Sequence, residues 1–162
     1  MNINEHKLIM INDENDEDVV GGFLNKLYEE SKQSQDAKLH LMFLQSAFNL
    51  LSVQSLENLI NTRSELTITF NGEERTKHYH LVKPLRVIPI YELRYAMNGN
   101  KHLRFLFFPF EFKGQSHYVF VKCFVKTRVP NVDETDIMRD LTYQMYKRVK
   151  ENPEYYLEGI ES

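Results

Sequence analysis

Five positions in the basic centre of this chain carry side chains suited to work on a phosphate: Arg94, Arg104 and Lys126 on three successive apolar runs, and His78 and His80 in KHYHL. Chemistry on a phosphodiester needs a base, an acid for the leaving oxygen, and cations beside the non-bridging oxygens. Arginine suits the last role, because its planar fork matches phosphate and keeps its charge. Histidine suits proton transfer near neutral pH. Each assignment has an alternative. Arg94 could pair with a helix carboxylate and hold the fold together. Lys122, Lys126 and Arg128 share one strand face by their spacing, either as a phosphate patch or as an ordinary solvated face. His78 and His80 are an acid–base pair, two polar strand residues or half of a metal site. No third ligand is evident, so no metal is expected. Lys83 and Arg86 extend the basic set, and His102 and His117 lie near turns. Tyr143 and Tyr146 either stack on a base or pack.

The segment that must position these groups runs from Tyr91 to Arg128. It reads as three strands joined by turns at Asn98-Gly99-Asn100 and Lys113-Gly114-Gln115. Residues 75–128 hold 11 Lys/Arg against two acids, Glu92 and Glu111, a balance of +9. Residues 1–74 hold 5 against 13, and residues 129–162 hold 4 against 8, so the whole chain is −3. A basic sheet inside an acidic chain points to a phosphate-rich partner, because local potential governs encounter within a Debye length of ~10 Å.

The flanks read as follows. Lys7 to Ile11 is a first strand, and the acidic run Asn12 to Asp18 is a helix N-terminus. A helix follows through Val20, Phe23, Leu24 and Leu27, with a close contact or a break expected at Gly21-Gly22. Asp36 opens a second, central helix, and Ser55 to Ile60 adds a turn or short helix. LTITF with Asn71-Gly72 signals a hairpin, paired with residues 77–82. Pro84 and Pro89 limit pairing until Tyr91, and Pro109 marks an edge or bulge. After Pro130, Asp133 caps a last helix that ends at Asn152-Pro153. The plan is α+β: one domain over residues 1–150, with 62–83 an insertion or hairpin and 151–162 a loose extension. Cys123 stands alone, and neither a signal peptide nor a membrane span is evident, which favours a cytoplasmic setting.

In order and spacing the chain resembles the RelE/HigB toxin superfamily, and within it the phage-derived, HigB-like host-inhibition branch. The resemblance rests on Phe23, Leu24 and Leu27, on Glu92-Leu93-Arg94, on Leu103-Arg104-Phe105, on Phe124-Val125-Lys126, and on Pro130 followed by Asp136-Ile137. It implies a RelE-like fold with N-terminal strand and helices packed on a small antiparallel sheet. It also implies an mRNA interferase that cuts ribosome-bound mRNA without a metal or other cofactor, with a cognate antitoxin as partner. Arg94, Arg104, Lys126 and His80 fall to catalysis, and Lys83, Arg86, Lys122, Arg128 and His78 to nucleic-acid binding. Two features depart from the family. Thr127 stands where a second lysine is common, and the 62–83 segment is longer than the usual connection. Both favour the alternative of an inactive toxin-fold protein that binds nucleic acid or a host protein; a third reading is a domain whose basic sheet meets an acidic partner.

Overall fold

The computed structural model describes residues 5–87, 89–98, 101–126 and 134–158. The chain is mixed α+β, with a five-stranded mixed sheet, a separate two-stranded antiparallel sheet and five helices. Chain order is β1 (Lys7–Met10), α1 (Val19–Ser31), α2 (Gln35–Val53), α3 (Leu56–Asn61), β2 (Ser64–Phe70), β3 (Glu73–Tyr79), β4 (Val82–Pro84), β5 (Tyr91–Ala96), β6 (His102–Phe112), β7 (Gln115–Lys126), α4 (Glu134–Glu151) and α5 (Pro153–Leu157). The large sheet runs β1-β7-β6-β5-β4; β1 lies parallel to β7, and the other neighbours are antiparallel.

Alternation on the central strands divides the core in two. Leu93, Tyr95, Leu103, Phe105, Phe107 and Phe120 pack toward α1, α2 and β2, while Phe108, Val119 and Val121 pack toward α4 and α5. Between Leu106/Lys122 and Phe107/Phe120 the register slips by one residue, a bulge that leaves Val121 without an opposite partner. The β6–β7 turn has positive φ at Lys113 (51°) and Gly114 (77°), the left-handed backbone that a two-residue hairpin needs. Asn71 (52°) and Gly72 (80°) make the same turn between β2 and β3.

Several expectations are corrected. The partner of LTITF is Glu73–Tyr79, not residues 77–82, because the two-residue turn sets the register at Phe70 opposite Glu73. Pairing resumes before Tyr91: Val82–Pro84 lies on the exposed edge of the sheet, where a proline leaves no ladder bond unmade. Pro109, by contrast, fits the expected edge position: it sits opposite Tyr118, beyond the point where β5 ends its pairing with β6 at Phe107, so β6 has only one neighbour there. Helix α2 is capped by Ser34, whose hydroxyl accepts from the Ala37 N–H, rather than opened by Asp36. Of the acidic run only Asp18 caps α1, accepting from the Gly21 N–H at 2.9 Å. A side chain on Gly21 would collide with that carboxylate, which explains the glycine in an unbroken helix. The first part of the expected loose extension is structured: residues 153–157 form α5, and Leu157 is fully buried, while residues 159–162 lie outside the described residues. Asp133, Pro130 and Arg128 lie outside the described residues. Among the described residues, no helix is long and apolar enough to cross a membrane.

Candidate functional site

Antiparallel pairing of β5 with β6 puts Arg94 directly opposite Arg104. Two guanidinium groups held side by side repel, and the sequence supplies a counterion two residues from Arg94 on the same strand face. The Glu92 carboxylate lies 3.9 Å from Arg94 Nε through one oxygen and 3.7 Å from Arg104 Nε through the other. These are ion-pair distances without hydrogen-bond geometry. Among the described residues, Arg104 Nε and that second Glu92 oxygen are buried without hydrogen-bond partners, although Arg104 Nη1 donates to the Leu103 carbonyl at 3.1 Å. Burial is the main influence on Arg104 and draws its pKa down; Glu92 opposes this and Arg94 adds to it. The site therefore holds one buried arginine whose Nε lacks a hydrogen-bond partner, and one, Arg94, that is 38% exposed.

These two arginines line a pocket of about 310 Å³ together with Arg63, Tyr79, His80, Tyr95, Ala96 and His102. That volume lies at the lower end of the range for ligand sites. Arg63 is held in place by donating from Nη2 to the His78 carbonyl at 2.8 Å. Tyr95 forms the inner wall, anchored on α2 by a 2.6 Å hydrogen bond between its hydroxyl and His40 Nδ1. Lys77 sits over the Tyr95 ring at 4.7 Å and donates to the Ala96 carbonyl at 2.8 Å. The Tyr79 hydroxyl is buried without a hydrogen-bond partner; burial pushes its pKa up, against the pull of Arg94 and Arg104. It is thus a phenol at neutral pH, a donor and not a base. Three arginines, two histidines and a phenol around one opening are groups able to hold an anion, with proton-transfer groups at hand.

The other residues singled out in the sequence are dispersed. Lys126 is exposed on β7 opposite His102, beside the pocket rim, and is not among its lining residues. Lys83 is exposed on the edge strand opposite Glu92, and Arg86 is exposed in the following bend. His78 and His80 do not share a strand: β3 ends at Tyr79, His78 faces Glu65 across the hairpin, and only His80 lines the pocket. His117 is fully buried. Tyr143 and Tyr146 are half-buried and pack on the sheet with α4, Tyr146 edge-on to Phe108 at 5.2 Å.

Lys122 is a clear correction. Its Nζ lies 2.6 Å from Asp13 Oδ2 and 2.7 Å from Glu14 Oε1, and its side chain is 7% exposed. It anchors the acidic loop after β1 to the sheet and offers no charge to an external phosphate. The same carboxylates line a larger cavity of about 520 Å³ with Asp16, Arg148, Tyr155 and Tyr156, and their sign is wrong for a phosphate ligand. Sequence reading missed Arg63, Tyr79 and Glu92 as members of the site. Glu92 was within reach of it, two positions from Arg94 in a strand; Arg63 and Tyr79 arrive only by tertiary packing.

No protein-family model matches the chain, and comparisons with curated proteins and with solved structures found no match. Function rests on the residues themselves.

Proposed function

We propose that this chain is a toxin of a toxin–antitoxin system, an endoribonuclease of the RelE/HigB kind that cuts mRNA on the ribosome. The observation that supports this most is the cross-strand pair Arg94–Arg104 opening into one pocket with His80 and His102. The phosphodiester docks on Arg94, with Arg104 behind it. One histidine takes the proton of the 2′-hydroxyl as that oxygen attacks phosphorus. The other gives a proton to the departing 5′-oxygen, leaving a 2′,3′-cyclic phosphate and a 5′-hydroxyl. Lys126, opposite His102, adds positive potential at the rim. Of the segments that carry the family resemblance, four fall on α1, β5, β6 and β7, the last three adjacent strands of one sheet; Asp136-Ile137 falls on α4, and Pro130 lies outside the described residues.

A second reading is a protein of the same fold, phage-encoded or not, that binds nucleic acid or a host protein without cutting. It is favoured by the neutralisation of Lys122 and by the partial commitment of Arg104 to Glu92, which leave fewer cations than the sequence promises. Translating ribosomes programmed with a defined mRNA separate the two. The enzyme produces fragments with cyclic-phosphate ends that appear only when ribosomes are present. The binding protein leaves the message whole.

A further inference from the structure

The segment between α3 and β4, which lengthens the chain relative to the family it resembles, does not sit apart from the pocket. Its hairpin packs Leu66, Ile68 and Phe70 into the main core, and its base supplies three of the pocket's lining residues: Arg63 before β2, Tyr79 at the end of β3, and His80. Arg63 ties the two sides of that base together through the His78 carbonyl. Tyr79 is the feature without a structural explanation. The ring packs against the main core, yet the hydroxyl is buried without a partner among the described residues, in a pocket whose charged side chains are arginines flanked by two histidines. A buried donor that finds no acceptor inside the protein is costly to keep, and phenylalanine would pack as well. An anionic oxygen entering between the arginines would supply the missing acceptor.

We propose that the β2–β3 hairpin is part of the binding site, its Tyr79 hydroxyl donating a hydrogen bond to the phosphoryl group held by Arg94 and Arg104. This rests on reading the pocket as a phosphate site, and it does not require cleavage. Tyr79 contributes a neutral donor beside the arginines, adding a directional hydrogen bond to their charge.

The test uses the full chain and two probes: a 2′-O-methylated five-nucleotide RNA, which cannot be cut, and inorganic pyrophosphate. Wild type is compared with Tyr79→Phe, Arg94→Ala and Thr76→Val, the last a change on the exposed side of the same hairpin. Wild type and Thr76→Val should bind both probes alike. Arg94→Ala should lose both. Tyr79→Phe, with its thermal midpoint kept or raised, should bind each roughly tenfold more weakly, as expected for a lost hydrogen bond to a charged group. Tyrosine-dependent binding of pyrophosphate with no binding of RNA would uphold the donor role and sink the ribonuclease reading. Wild-type affinity for both probes in Tyr79→Phe would overturn the proposal. So would a wild type that binds neither, which would remove the phosphate reading with it.

Discussion

At the scale of single residues, Arg94 and Arg104 look equivalent in sequence and differ in the fold. Arg104 is buried against Glu92, whereas Arg94 is partly open to solvent. Removing Arg104 leaves a buried carboxylate with only the more distant Arg94 beside it, and breaking a buried pair costs about 3 kcal/mol or more. Arg94→Ala, by contrast, should cost under about 1 kcal/mol while abolishing phosphate binding. Urea unfolding of the two variants checks this; equal losses of stability would mean that the two arginines are not divided as described. That both arginines belong to one site was legible because the glycine turns and apolar runs set the strand order. That Lys122 does not belong was hidden. Its partner Asp13 is 109 residues away, and the acidic run around it reads as a helix start. The hint is a lysine inside the apolar run Val119 to Val125, a place where an unpaired charge would not be tolerated.

At the scale of elements, hairpins and helices were read from turn chemistry and periodicity, and the misreadings came where packing decides. α5 is only five residues long and would not hold as an isolated helix. It persists because Leu157 enters the core beneath α4 with Met145 and Val149. Leu157→Ala should therefore destabilise the protein by about 3 kcal/mol, read as a fall in the unfolding midpoint. A change within a few tenths would restore the view of residues 151–162 as a loose tail. The β2–β3 hairpin teaches the same lesson. Its turn was visible at Asn71-Gly72, but its contribution to the pocket depends on where its base lands, and no local signal carries that.

At the scale of the whole molecule, the sheet separates a cationic pocket at its β4–β5 side from an acidic loop clamped onto β7, so the net charge of −3 says little about the site. Groups of two kinds, histidine and aspartate, make stability depend on acid. Burial holds the His40 pKa below 6.5, with Lys77 assisting and Asp36 opposing; His6 is lowered too, mainly by burial. Burial alone would raise Asp13, but hydrogen bonds from Lys122 and from the Glu17 and Asn15 N–H groups hold it below 3.8. In both cases the unfolded chain binds more protons than the folded one, so stability falls as pH falls. The first loss begins at the unfolded histidine value of 6.5 and the second at the unfolded aspartate value of 3.8. Denaturant midpoints from pH 8 to pH 3 should show both steps, with the first reduced in His40→Asn. A flat profile between pH 7 and pH 5 would contradict the buried, neutral His40.

On the proposed reading, the Arg94–Arg104 pocket cuts mRNA on the ribosome. Its most direct test is primer extension on cellular transcripts after brief induction of wild type or of Arg94→Ala, the variant expected to stay folded. Cuts phased to codons in wild type and absent in Arg94→Ala are the predicted result. Intact transcripts in cells that accumulate folded wild type, or cuts that persist in Arg94→Ala, would contradict it.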